Sequence, residues 1–126
     1  MELLAVFLGG GLGSVSRYAL GRVVNEAWPN LFPLGTLAVN ALGCFLIGLL
    51  YTLFEKHHIP PGMRLFLITG FLGGFTTFST FGLESVTLAR NGEVSLSLLN
   101  ILISIVLGPG LVILGMLTAG LILKNR

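Results

Sequence analysis

Four long apolar segments separated by short polar joints leave this chain few ways to fold. They cover roughly residues 3–24, 34–54, 63–89 and 94–123, and each meets the ~20 residues a helix needs to cross a bilayer. In hydrocarbon every backbone N–H and C=O must be paired within the segment, so isolated spans of this length are helices. The expectation is an all-α integral membrane protein, one domain over 1–126, with four transmembrane helices. The charge content agrees, because 10% of the residues are charged and an average soluble domain has about 25%. Too little polar surface remains to face water, so lipid is the expected solvent for most of the exterior.

The same numbers exclude other classes. The net charge is +2 and the basic residues are scattered, so no cluster tracks a phosphate backbone and nucleic acid is not an expected partner. Cys44 is the single cysteine; it can form no intrachain disulfide and is read as a small packed side chain. Glu2 stands where a signal peptide would be basic, and no clear cleavage site follows, so the first segment is expected to be retained. His57 and His58 lie in a loop and are read as solvated.

Joints rich in turn residues close the spans: Asn25 to Asn30, Glu55 to Gly62 with Pro60-Pro61, and Arg90 to Glu93. Trp28 occupies an interfacial position. Alternation puts Lys56, Arg64, Lys124 and Arg126 on one side and Arg22 and Arg90 on the other. This weak bias favours cytoplasmic termini and also suits a chain that inserts both ways. Gly9 with Gly13, and Gly70 with Gly74, form GxxxG pairs that allow close helix approach. Packing among the four helices of one chain accounts for much of that pattern.

One stretch departs from simple span composition: Gly70-Phe71-Leu72-Gly73-Gly74-Phe75-Thr76-Thr77-Phe78-Ser79-Thr80-Phe81-Gly82. Paired glycines followed by β-branched hydroxyl residues are poor helix formers. The spacing predicts a broken third helix, interrupted near Gly73 to Thr76 and midway through the membrane. Freed carbonyls there need a partner, and discontinuous spans offer such carbonyls to cations. The interruption falls at the midpoint of its span. Two antiparallel copies could therefore share one cation on their two-fold axis, structural as readily as transported.

Phe75, Phe78 and Phe81 recur every third residue on roughly one helix face. They either face lipid and fill gaps, or turn their positive ring edges to an anion. The hydroxyls of Thr77, Ser79 and Thr80 between them favour the second role. Asn40, in Gly35-Thr36-Leu37-Ala38-Val39-Asn40, is either an interhelical bridge or an NH₂ donor lining a pore. Asn100, Ser104 and Gly108 line one face of the fourth segment, where Gly108-Pro109-Gly110 should kink the helix. Arg17 either snorkels to the interface or draws anions to a vestibule. Glu84, one turn beyond Phe81, receives no role from the residues alone.

The glycine-rich first span ending in Ser16-Arg17-Tyr18, the Gly35 to Asn40 run and the Gly70 to Phe81 stretch resemble the Fluc, or CrcB-like, fluoride channels over essentially the whole chain. The resemblance implies antiparallel, dual-topology dimers with two pores, each built by both subunits, in the inner or plasma membrane of a prokaryote. It implies that carbonyls of Gly73 and Thr76 hold a central sodium ion. Phe78 and Phe81 would turn their edges to fluoride, and Asn40 would donate to it. Ser79, Thr80, Asn100 and Ser104 would continue a polar track, with Glu84 near its end and Arg17 near a vestibule. Some members carry Tyr where this chain has Asn100, and Gly108 removes a hydroxyl from the track. Some members pair as two different chains; the weak charge bias here suits pairing with a second copy. The implied function is passive fluoride export that relieves fluoride toxicity.

Two other classes compete. A small antiparallel drug exporter shares size and span count, but needs a membrane-embedded acid in a binding chamber, and Glu84 comes late in its span. A membrane assembly subunit would explain the glycines but not Thr76 to Phe81. No nucleophile–base or metal-ligand set supports an enzyme.

Overall fold

The computed structural model describes residues 1–124; Asn125 and Arg126 lie outside it, and with them the Arg126 charge used in the sidedness argument. The described residues are helical throughout, apart from short joints, and contain no strand. Helix α1 covers Glu2–Ala27 and α2 covers Leu34–Lys56. The third segment is a composite. Its first part, α3, runs over 61–75 as an α turn Pro61–Arg64, a π-helical stretch Leu65–Leu72 and a closing turn Gly73–Phe75. Its second part, α4, is Phe78–Arg90, and α5 is Val94–Lys124. Four segments, Glu2–Ala27, Leu34–Lys56, Pro61–Arg90 and Val94–Lys124, are long and apolar enough to cross a membrane.

Local chemistry explains the ends. Pro61 stands at the first turn of α3, where its missing N–H is not needed. After α4, Gly92 has φ +87°, its N–H bonds to Ala89 O at 3.1 Å, and Glu93 N–H bonds to Leu88 O at 2.9 Å. This paired closure requires a left-handed residue, and glycine takes that conformation without a Cβ penalty. Asn25, at the end of α1, accepts the first-turn N–H of Gly35 at 2.9 Å and so caps α2 from a neighbouring helix. Helix α5 continues without interruption through Gly108-Pro109-Gly110.

Packing is built on backbone approach. The main helix pairs are α1 with α3 and α2 with α5, and α4 also lies against α5. In the first pair the two GxxxG pairs meet each other within one chain. A Cβ on Gly70 would stand 2.9 Å from Val6 O and 3.0 Å from Gly9 Cα, and one on Gly13 would stand 2.9 Å from Phe75 N. Gly9, Gly10 and Gly74 are in similarly close backbone contact across this seam. In the second pair, Gly48 lies on the Val112 peptide, a Cβ on Gly115 would stand 2.8 Å from Leu49 N, and Ala119 is fully buried. In lipid no hydrophobic effect drives helices together, so dispersion between closely fitted backbones must do it.

The interruption of the third segment lies slightly later than the glycines suggest. Gly73 keeps helical angles (φ −63°, ψ −37°), whereas Thr76 (ψ 155°) and Thr77 (φ −147°, ψ 115°) are extended. The glycines serve the α1 seam, where Gly74 faces Gly10, and so remain helical. The β-branched threonines, which lose side-chain freedom in a helix, take the extended conformation instead.

Replacing Gly13 by Ala should destabilise the fold by about 1–3 kcal/mol, the usual cost of overpacking. Gly11→Ala, where a Cβ meets nothing within 4 Å, should be neutral or slightly stabilising. Unfolding in detergent micelles, followed by circular dichroism, measures both.

Candidate functional site

A helix that stops and restarts inside a span must re-pair its backbone groups. Here Asn40 on α2 supplies much of the pairing. Its Oδ1 accepts the Thr77 N–H at 2.8 Å, and its Nδ2 donates to Thr77 O at 3.0 Å. Thr77 N–H can only donate, so the orientation of the carboxamide is fixed. One Nδ2–H is thereby used and the second remains free to donate. Asn40 is thus an interhelical bridge that keeps one N–H donor to spare.

Thr77 caps α4. Its Oγ1 accepts Thr80 N–H at 3.2 Å and donates to Thr80 Oγ1 at 3.0 Å. Ser79 Oγ lies 3.3 Å from the same oxygen. Thr77 has one hydroxyl proton and gives it to Thr80, so Ser79 is the donor in that contact. The Ser79 proton is consumed locally, whereas the Thr80 hydroxyl accepts here and keeps its own proton. On the other side of the interruption, Thr76 Oγ1 donates to Leu72 O at 2.9 Å. Arg17 on α1 reaches in with Nε to donate to Gly74 O at 3.1 Å. Arg17 therefore neither points away into the joint nor stands apart from the interruption.

These diversions leave identifiable carbonyls over. In a continuous helix Thr77 N–H would pair with Gly73 O, and Thr80 N–H with Thr76 O. The first donor goes to Asn40 and the second to Thr77 Oγ1. The carbonyls of Gly73 and Thr76 thus lose their helical partners, and a Cβ at Gly73 would meet nothing within 4 Å. Such oxygens fit a hard cation that takes oxygen ligands.

A cleft of about 410 Å³ opens beside the interruption. It brings together Asn40, Gly73, Thr76, Thr77, Phe78, Phe81 and Ser104, along with Cys44. No charged side chain among the described residues lines it. The Phe78 and Phe81 rings stand 5.6 Å apart and tilted by 47°. Phe78 is 84% exposed, so its side chain projects outward from the helices. Phe75 instead is buried and stacks on Phe71 at 5.8 Å. A second, smaller pocket of about 80 Å³ includes Arg17, Asn25, Thr36, Thr77 and Thr80. Thr77 lines both, so the interruption separates a wide uncharged cleft from a small polar pocket.

Three sequence-derived positions sit outside both spaces, Ser79 beside Thr77 and two farther along α4 and α5. Asn100 lines neither space; it is 2% exposed in the α4–α5 seam and donates to Ser85 Oγ at 2.9 Å. Glu84 accepts the Thr36 hydroxyl at 2.8 Å with Oε1, and its Oε2 is buried without a partner. Thr36 and Ser85 had no role assigned from sequence. Thr36 could have been found from spacing, since it lies one helical turn before Asn40 on the face that meets α4.

The profile described as "CrcB-like protein, Camphor Resistance (CrcB)" matches residues 4–116. The chain belongs to the CrcB-like family. A CrcB-like relative from Hydrogenobaculum is 46% identical over 97% of this chain and all of its own length. One from Phocaeicola vulgatus is 49% identical over 90% of this chain and 94% of its own, and one from Salinibacter ruber is 45% identical over 91% and 86%. Each is named a fluoride-specific ion channel FluC, a channel and not an enzyme. With its four span-length helices, this CrcB-like chain is a multi-pass membrane protein.

Asn40→Ala removes both partners of the Thr77 peptide. Each unpaired buried group costs about 1–3 kcal/mol, and half-burial discounts this, so a loss of about 2–4 kcal/mol is expected. Asn40→Asp retains the acceptor for Thr77 N–H and should lose less. Equal losses in a micelle unfolding assay would contradict the bidentate arrangement.

Proposed function

We propose that the protein is one subunit of a fluoride channel that lets cytoplasmic fluoride leave the cell passively and so relieves its toxicity. The observation that carries the reading is the uncharged cleft that Asn40, with one N–H to spare, lines together with Phe78 and Phe81. The relatives' names point to the same ion.

Fluoride is small and strongly hydrated, so its water must be replaced by other donors. Ring edges carry partial positive charge, and a carboxamide and hydroxyls donate hydrogen bonds. Together they compensate dehydration without holding the anion as a fixed cation would. Conduction requires that balance, since the ion must enter readily and also leave. Asn40, Phe78 and Phe81 bind fluoride in this reading, Thr80 and Ser104 extend the path with their hydroxyl protons, and Ser79, whose proton is held by Thr77, borders it. Arg17 attracts the anion to the vestibule formed by the smaller pocket, and Glu84, held by Thr36, marks the end of the track.

The exposure of Phe78 supports a second copy of the chain as partner, because a ring at the open edge of its own cleft can form half of a shared binding site. In an antiparallel, dual-topology homodimer each of two pores would be completed by both chains, in the inner membrane of a bacterium. The interruption, midway in the membrane, would lie on the two-fold axis. There the carbonyls of Gly73 and Thr76 would hold a structural sodium ion, which supplies positive charge to four otherwise unpaired oxygens. Export follows from acidity, since fluoride enters as neutral HF, dissociates inside and leaves as the anion.

A fluoride-electrode efflux assay on reconstituted protein, with chloride for comparison, tests the function. Vesicles that retain fluoride as empty ones do would end it. Phe78→Ile and Phe81→Ile should sharply reduce efflux while the dimer persists; undiminished flux would remove the rings from the path. Purification with choline in place of sodium should lower the dimer fraction, read by light scattering. A dimer indifferent to every cation would argue against the carbonyl site.

A further inference from the structure

Asn100 is, with Val39, one of the two largest fully buried side chains of the described protein, at 2% exposure. A carboxamide in that setting demands partners. Its Nδ2 donates to Ser85 Oγ at 2.9 Å. Ser85 Oγ donates in turn to Phe81 O at 2.8 Å. The Ser85 hydroxyl has one proton and spends it on Phe81, so it can only accept from Asn100. The bonds therefore form a directed line from α5, through Ser85, to the backbone of Phe81. Ser97 joins differently, donating to the Ser85 carbonyl at 2.7 Å. It ties the same two helices but does not touch the line that ends at Phe81.

Phe81 O is also the helical acceptor for Ser85 N–H, so it takes a second, side-chain bond, and serial bonds of this kind polarise one another. The Phe81 peptide is thus fixed relative to α5. One turn after Asn100, α5 contributes Ser104 to one wall of the cleft, and α4 contributes Phe81 to another. The separation of those two walls depends on how α4 seats on α5.

We propose that Asn100 is a positioning residue. Through Ser85 it fixes the Phe81 backbone, and with it the place of the Phe81 ring in the cleft and the gap to Ser104. It acts without lining the path. The geometric part stands on the hydrogen bonds alone, and the transport consequence rests on the channel reading above.

The test combines two readouts on full-length protein. Phenylalanines are replaced by 4-fluorophenylalanine, and the Phe81 resonance in the ¹⁹F spectrum in micelles is assigned by its loss in Phe81→Leu. Asn100→Leu and Ser85→Ala should each shift or broaden that resonance, and the double variant should match the stronger single one. Ser85→Thr, which keeps the hydroxyl, should restore it, and Ser97→Ala should leave it in place. In vesicles, Asn100→Leu and Ser85→Ala should slow fluoride efflux about tenfold, the scale of one lost buried hydrogen bond, and Ser97→Ala should stay near the parent rate. If Asn100→Leu does not fold, Ser85→Ala and Ser85→Thr decide. An unmoved Phe81 resonance in Ser85→Ala, or an equal disturbance in Ser97→Ala, would overturn the proposal. Parent protein that conducts no fluoride while its Phe81 resonance responds as expected would overturn the channel reading and leave this one standing.

Discussion

The double hydrogen bond between Asn40 and the Thr77 peptide is the contact on which the rest of the site depends. An interrupted helix in hydrocarbon is unaffordable unless its open peptide groups find partners. Asn40 meets the need at Thr77 with two bonds from one planar group. Because it takes the Thr77 N–H, it releases Gly73 O. Because Thr77 then caps α4 with its hydroxyl, the N–H of Thr80 is withdrawn from Thr76 O. One side chain on α2 thus sets which carbonyls are open and where α4 begins. The Phe78 and Phe81 rings follow from that starting point.

Around this clamp the molecule divides the work between backbone contact and polar seams. The glycine faces of α1 and α3 bring main chain against main chain, and Arg17 crosses the same seam to satisfy Gly74 O. In the proposed channel, a guanidinium already engaged with a carbonyl would attract an anion through its field rather than trap it. On the opposite flank the α4–α5 seam is held by Asn100, Ser97 and Ser85, all buried and hydrogen-bonded. The ring-bearing helix α4 thus lies along α5 and is tied to α2 through Asn40 and Thr36, while its first residue, Phe78, is left outward.

Much of this was legible in the residues. Span number follows from apolar run length, and the α1–α3 seam from the two GxxxG pairs. The glycine pair and the threonines beyond it announced an interruption near Gly73 to Thr76, and the extended residues, Thr76 and Thr77, lie at the far end of that range. Glycine is a poor helix former in isolation, yet Gly74 is held helical by its contact with Gly10, and tertiary packing overrode the local preference. Asn100 misled for a related reason. Its spacing with Ser104 suggested one continuous polar stripe, but periodicity cannot tell a wet face from a seam where a neighbouring serine supplies the partner. The link between Thr36 and Glu84 was hidden because it joins residues far apart in the chain, and their register emerges once Asn40 is docked on Thr77.

The π-helical stretch Leu65–Leu72 has a bearing on how this segment can change over time. A π turn takes in one more residue than an α turn, with bonds to the fifth residue rather than the fourth. Dropping a single residue there can be absorbed by tightening one wide turn, leaving the glycines on α1 and the threonines at Asn40. The same loss after Phe75 would rotate every ring and hydroxyl beyond it. Length variation in the third span should therefore be tolerated before the interruption and forbidden after it.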